Sequence, residues 1–548
     1  MPLLLKALTG VLAKALTGVL AVGVFAAPSA PVVEAADAGP PRFTRTTAEV
    51  SSIDWRPCPR DATAECGTLP LPVDWTRPAG EQFDLAVARR KAADPARRLG
   101  VLLVNPGGPG DSGVDFAVRR AKSTFSEDIL SRFDIVGFDP RGVGDSRPVK
   151  CSQELVNRRP SAYPRNQAEF ARLAEFNRVL REDCRRRSGA IFDHADTLSV
   201  VHDMDALRGA LGERKINYFG HSYGTLIGQQ YAERYGERIR AMALTANIDH
   251  SLGLREFLVS SAVTAEDSFH QFARWCAFDR SCALHGRDVT AAWDGLLARA
   301  DRGEIRDPAS PDRTLTAHEI ALFAFRKFYG PDWRELAAYV AELDAQERGE
   351  RRQPRQPRPE DPPSEAGRAT TSEPLFHAVF CQDWRFRPKN HREFAALTAA
   401  ELAAAPHLRG SPRVHTAVAG CVGWPEKVNN PQHRPRITKA PEILMLHALH
   451  DPANNYAWAV NVHRQTRGTT VLLPYEGAGH SVYGRSACTR EAVDAYLTDL
   501  GIPSDGSSCA PAEEHATGAG TVHPVDPVDP VDPARAVTRK RTAFPGAG

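Results

Sequence analysis

Short β-forming runs, mostly aliphatic and without alternation, recur along this chain, and each ends in a loop of glycine or polar residues. They are Val101–Val104, Ile135–Phe138, Asn217–Phe219, Met242–Leu244, Ile443–Leu446 and Thr470–Leu473. Runs of this length with no polar face are strands covered on both sides, as in a parallel sheet between helices. Leu198–Leu211 instead places apolar residues at helical spacing and stops at Gly212, which predicts a helix. Ile53–Arg90 alternates turns with short apolar runs, as antiparallel strands at a sheet edge do.

The sheet pattern breaks between residues 251 and 440, where helical periodicity takes over. Helices are predicted over Ala265–Ala277, Ala291–Ala300, Ala317–Phe328, Trp333–Ala345 and Ala395–Ala404. Helices inserted between two sheet strands predict a cap over the loops at the sheet's carboxyl edge. Residues 39–250 are thus the first part of an α/β core, 251–440 a helical cap and 441–503 the second part of the core. Within the cap, residues 346–374 are rich in Pro, Arg and Glu and lack apolar periodicity, which predicts a disordered or mobile loop. Residues 504–548 contain the repeat Pro524-Val-Asp-Pro-Val-Asp-Pro-Val-Asp-Pro and the basic cluster Arg539-Lys-Arg541. Such a tail cannot bury a core and reads as a solvated appendage.

Composition adds the compartment. The 548 residues are 42% hydrophobic and 25% charged with a formal net charge of +2. Nothing in that balance draws the chain to nucleic acid or an anionic membrane, and Arg185–Arg187 reads as a solvated helix face. Residues 1–38 are a leader: Lys6 and Lys14 precede the apolar stretch Ala15–Ala27, and small residues follow at Ala26, Ala27, Ser29 and Ala30. That order defines a secretory signal peptide. A spanning anchor would put Lys14 in the bilayer at a cost of roughly 2.5–3.5 kcal/mol, and no Cys lies near the cleavage region to carry lipid. Ten cysteines in an exported chain imply disulfides. Sequence proximity suggests Cys58–Cys66, Cys151–Cys184, Cys276–Cys282, Cys381–Cys421 and Cys488–Cys509. No Cys-x-x-Cys pair occurs, and no metal or cofactor is expected.

Four segments carry chemistry, all at carboxyl ends of predicted parallel strands, where reactive loops sit in such sheets. Gly220-His221-Ser222-Tyr223-Gly224 is a Gly-x-Ser-x-Gly nucleophile elbow between a strand and a predicted helix over Thr225–Tyr235. It predicts an α/β-hydrolase fold with Ser222 as nucleophile. Asn105-Pro-Gly-Gly-Pro-Gly-Asp-Ser-Gly113 follows the Val101 strand. Acyl transfer needs two N–H groups waiting for the oxyanion, each worth about 2.7–4 kcal/mol, and these are expected from Gly108 and Tyr223. No Lys-Ser/Thr pair follows the loop, so it is not a P-loop. Asp451, after the Ile443 strand, and His480, after the Thr470 strand, complete a Ser–acid–His order. Competing groups are His221, His447 and His450 among the histidines, and Asp494 and Asp499 on a predicted final helix.

The glycine loop, Asp139-Pro-Arg-Gly-Val-Gly-Asp-Ser146 and Gly220-His-Ser-Tyr-Gly-Thr225 together resemble the secreted tripeptidyl aminopeptidases of actinomycetes, relatives of prolyl aminopeptidases. The likeness runs from Trp55-Arg-Pro-Cys58 through the Asp451 and His480 segments to about Cys509. It implies release of short peptides, tripeptides foremost, from free amino termini through an acyl-enzyme without metal, under a cap that stops long chains from threading. Two features depart from the family pattern: Asn454-Asn455 stands where a Thr-Pro pair is expected, and the Arg/Pro-rich insertion is long. An aminopeptidase must hold a cationic terminus, for which a carboxylate serves best; Glu266, Asp267 and Asp383 are the candidates in the cap. Two other readings share these motifs. The same triad cleaves esters, so a secreted esterase acting on small acyl esters is the alternative, and a non-catalytic binding protein that keeps the fold is the third. The sequence leaves the oligomeric state open.

Overall fold

The computed structural model describes residues 52–346 and 373–511, apart from 426 and 505. The leader, nearly all of the 346–374 segment and the tail beyond residue 511 lie outside the described residues. The unbroken apolar runs are parallel strands of one sheet. Its strands are β1 (Arg56–Cys58), β2 (Asp61–Pro72), β3 (Gln82–Arg90), β4 (Gly100–Asn105), β5 (Phe133–Phe138), β6 (Ile216–His221) and β7 (Ile239–Thr245). A separate hairpin, β8 (Arg306–Asp307) with β9 (Ser310–Thr314), precedes β10 (Ile443–His450) and β11 (Thr470–Ala478). The spatial order is β1-β2-β3-β5-β4-β6-β7-β10-β11. β1, β2 and β3 pair antiparallel, as does β3 with β5; every other pairing is parallel.

The double burial has a direct physical reading along β4. Val101 and Leu103 point to one face, where Met204 and Leu207 of the helix Thr197–Ala210 and Ile227 of the helix Tyr223–Tyr235 pack. Leu102 and Val104 point to the other, against Phe125, Ile129 and the final helix Ala487–Asp499. Each such side chain taken from water contributes roughly 1.5–3 kcal/mol, and the strand's pleat sends alternate residues to opposite layers. The chain leaves β4 for β5 on one side and returns to β6 on the other. The carboxyl ends of β4 and β6 therefore flank a point where strand order reverses, the place where open α/β sheets bind ligands.

Between β7 and β10 the chain forms the helices Leu254–Phe278, Val289–Asp301, Ala317–Tyr329, Trp333–Ala345, Glu373–Asp383, His391–Ala404 and Pro412–Cys421. The first starts earlier than its apolar periodicity indicates, because Glu256 accepts a hydrogen bond from the Gly253 N–H and caps the turn. Pro412 opens its helix at the first position, where a missing N–H costs nothing. The ten cysteines pair as sequence proximity suggests.

Arg141 of the Asp139-Pro-Arg motif is buried, and it ties the sheet edge to the helix Thr197–Ala210. Its Nε and Nη2 donate to both carboxylate oxygens of Asp203 at 2.7 and 2.6 Å, and its Nη groups also reach the carbonyls of Val73 and Pro72. Both side chains are fully buried, so removing one charge strands the other. Asp203→Asn is expected to lower stability by about 3–5 kcal/mol, read as a reduced urea midpoint with an unchanged slope.

Candidate active site

β6 delivers the chain into Ser222 with φ 54° and ψ −118°, a strained backbone for a residue with a side chain, worth about 1–3 kcal/mol. The turn is held by the Ser222 N–H donating to Thr245 O at 2.9 Å and by Thr225 donating twice to Ser222 O, at 2.9 Å from N–H and 2.7 Å from Oγ1. Glycines flank it because there is no room for more. A Cβ on Gly220 would lie 2.6 Å from Gly224 O, and one on Gly224 would lie 2.6 Å from Asn105 O.

The glycine loop after β4 meets the elbow through Gly107. Its φ is +100°, and a Cβ there would lie 2.6 Å from His221 O and 3.0 Å from both Ser222 Cβ and Tyr223 N. Its own N–H is taken by Asn105 Oδ1 at 3.0 Å. The N–H groups of Gly108 and Tyr223 donate to no protein acceptor among the described residues, the latter because it opens the elbow helix. Gly108, Ser222 and Tyr223 line one cavity. Sequence reasoning passed over Gly107, the residue that sets this spacing; its signal was the Asn two positions before it.

Asp451 and His480 meet at the ends of β10 and β11. His480 Nδ1 stands 2.9 Å from each oxygen of Asp451. Asp451 is fully buried, and its Oδ1 also accepts the N–H groups of Ala453 and Asn454 at 2.8 and 3.0 Å. The Asn454-Asn455 departure thus closes a tight turn: Asn454 binds the acid through its backbone and Ala246 O through its side chain, while Asn455 caps the next helix. Thr264 Oγ1 donates to Asp451 O at 2.6 Å, and the His480 N–H donates to Tyr329 O at 3.1 Å. The rings of His221 and Tyr329 each sit 4.7 Å from the His480 ring. The Ser222 hydroxyl makes no hydrogen bond to that ring in this structure; such contacts often tighten only with substrate bound.

The competing groups are engaged elsewhere. Burial and the neighbouring His480 push the His221 pKa well below the usual histidine range, and its Nδ1 faces Thr245 Oγ1 at 2.9 Å. His447, also pushed down by burial, accepts from the Asn247 N–H and donates to Asn454 O. Asp494 binds the Tyr483 hydroxyl, and Asp499 is exposed beside Arg132.

The cleft in front of Ser222 holds about 550 Å³ of empty space, part of it open to solvent. Its walls are mainly apolar and aromatic, with Phe257, Tyr329, Phe376, Phe380, Trp384 and Trp458 prominent. Arg413 is the one charged residue among the described lining. Its guanidinium donates to Tyr329 OH and to Gly108 O, both at 3.2 Å, and lies over the Phe376 ring at 5.3 Å. Arg413 and Tyr329 carry no signal of this role in sequence, since both belong to helices whose pattern reports only packing.

The three acids expected to hold an amino terminus do not line this cavity. Glu266 accepts the backbone N–H groups of His407 and Leu408. Asp267 pairs with His450 at 2.7 Å. Asp383 is fully buried and accepts from Thr197 N–H and Oγ1, Asn430 Nδ2 and the Tyr223 hydroxyl. The structure thus sets all three carboxylates outside the wall of the Ser222 cavity.

Residues 100–483 match the α/β hydrolase fold family. The chain belongs to that family. Among relatives of this α/β hydrolase, serine protease Hip1 of Mycobacterium tuberculosis is 32% identical over 488 residues, covering 83% of this chain and 91% of the relative. A tripeptidyl aminopeptidase of Streptomyces coelicolor is 29% identical over 496 residues, covering 85% and 87%. A protein named carboxylesterase B, from M. tuberculosis, is 31% identical over 467 residues, covering 82% and 87%. The chain is a serine hydrolase. Among the described residues no helix is long and apolar enough to cross a membrane.

Two outcomes follow from this geometry. Gly107→Ala forces the loop off the elbow, and kcat/KM is expected to fall by about 10²–10³, as when one oxyanion donor is lost, with the melting temperature measured in parallel. Burial and the nearby Asp196 push Asp383 up from 3.8 to about 7. The folded state then binds a proton that the unfolded chain releases, so stability falls as pH rises from about 4 to about 7. Asp383→Asn fits the same site, because the Thr197 and Tyr223 hydroxyls can accept as well as donate. It should flatten that part of the stability–pH curve in urea titrations.

Proposed function

We propose that this α/β hydrolase is an exported serine exopeptidase that releases short peptides, tripeptides foremost, from free amino termini. The observation that carries the reading is a strained Ser222 facing a cavity walled mainly by aromatic side chains, with the His480–Asp451 pair on neighbouring strand ends. In this mechanism His480 Nε2 takes the Ser222 proton as Oγ attacks the scissile carbonyl. The N–H groups of Gly108 and Tyr223 receive the oxyanion, and the protonated His480 returns its proton to the leaving amine. Asp451 holds the imidazole by Nδ1 and stabilises its charged form. Water, deprotonated by the same ring, then frees the peptide from Ser222. The helical insertion limits how much chain fits on the acyl side. Relatives named serine protease and tripeptidyl aminopeptidase support this reading, and the basic-apolar-small leader with five disulfides supports export.

One observation favours a second reading, an esterase for small acyl esters. The described cavity wall offers a guanidinium and no carboxylate, so it suits a carbonyl or carboxylate oxygen better than an ammonium, and a relative carries the name carboxylesterase B. Turnover of free and N-acetylated tripeptide anilides, measured beside short acyl esters, separates the two. Exopeptidase activity requires cleavage of the free anilide and its loss on acetylation; fast ester turnover with neither anilide cleaved favours the esterase. Ser222→Ala should abolish labelling by a fluorophosphonate probe while the protein still melts cooperatively. Retained labelling would move the nucleophile elsewhere.

A further inference from the structure

We propose that Glu266, His270 and His407 form a binding site for a divalent transition-metal ion, zinc being the ion their chemistry suits. Glu266 and His270 stand one turn apart on the helix Leu254–Phe278, so their side chains share a face. His407 arrives from the segment between the helices His391–Ala404 and Pro412–Cys421. Glu266 Oε1 lies 3.9 Å from His270 Nε2 and 3.9 Å from His407 Nε2. All three donor atoms fall within 4.8 Å of one another.

The surroundings orient these donors as metal ligands are oriented. His407 Nδ1 is 2.8 Å from Asp294 Oδ1. A carboxylate there holds the proton on Nδ1 and leaves the Nε2 lone pair facing Glu266, the arrangement found behind most histidine ligands. Glu266 is buried, and the backbone N–H groups of His407 and Leu408, at 3.2 and 3.1 Å, fix its carboxylate. Phe269 packs 5.2 Å from the His407 ring. His270 is half exposed, so an ion can enter from solvent and keep water as its fourth ligand.

Two imidazoles and one carboxylate are the ligand types of zinc, whereas calcium and magnesium take oxygen donors. Zinc binds these atoms at about 2.0–2.2 Å, which sets ligand atoms about 3.3–3.6 Å apart, so each Glu–His pair closes by about half an ångström and the exposed His270 swings in to bring the two imidazoles together. None of the three residues lines the cavity at Ser222, so the ion's role is to pin the His407 segment to the helix Leu254–Phe278. That helix also carries Thr264 and Asp267, which hold the Asp451 carbonyl and His450.

The test uses the full chain, stripped with a chelator and titrated with zinc by calorimetry and with cobalt(II) by visible absorption. One equivalent of zinc should bind and raise the melting temperature, and cobalt loaded onto the stripped protein should show the intense bands of a four-coordinate ion until zinc displaces it. Asp294→Ala should weaken binding about 10–100-fold, and His270→Ala, which removes an exposed ligand and little packing, should weaken it further. No stoichiometric zinc, or zinc affinity unchanged in both His270→Ala and His407→Ala, overturns the proposal.

Discussion

The approach of two backbone segments within van der Waals contact governs this molecule's chemistry. Asn105 and Gly107, at the end of β4, press against the turn that carries Ser222, and Gly224 meets Asn105 O across the same gap. A side chain at any of these glycines would wedge the segments apart by more than a hydrogen bond tolerates. Because β4 and β6 are register-locked neighbours, with Asn105 beside Gly220, the sheet itself sets the distance. The oxyanion donors and the nucleophile are thus positioned by strand pairing, which resists deformation better than loop packing does.

Support for the acid and base comes from the inserted helices as much as from the sheet. Thr264 reaches the Asp451 carbonyl and Tyr329 the His480 N–H, so two helices of the insertion contact the backbone of both residues. Tyr223 is held from the same side, since its hydroxyl donates to Asp383, the last residue of the helix Glu373–Asp383. The insertion is therefore part of the site's framework as well as the roof of its cavity.

The sheet and the elbow were legible in sequence because each is written in consecutive residues. Parallel strands buried on both faces leave unbroken apolar runs, and a Gly-x-Ser-x-Gly turn is a local steric demand. The cavity was less legible. Arg413 and Trp384 acquire meaning only when separate helices converge, and Pro412 is ambiguous until its helix is seen to begin there. The acids Glu266, Asp267 and Asp383 were chosen for charge alone, and sequence gives no account of the groups that engage them: backbone N–H groups at Glu266, His450 at Asp267, and hydroxyls with Asn430 at Asp383. The same blindness hides the Glu266, His270 and His407 cluster: no ligand spacing joins a helix to a residue so far along the chain.

One cross-link shapes how the cavity can change. Cys381 and Cys421 join the helix bearing Phe376 and Phe380 to the helix bearing Arg413 and Ala417. Two walls of the cavity are therefore one covalent body and cannot part to admit a wider acyl group. Substrate breadth must come from the rest of the wall, where Phe257 and Trp458 stack at 4.8 Å without any such tether. Directed variation for bulkier substrates would thus begin at that aromatic pair, and an exported location that keeps thiols oxidised would also keep the cavity's width constant.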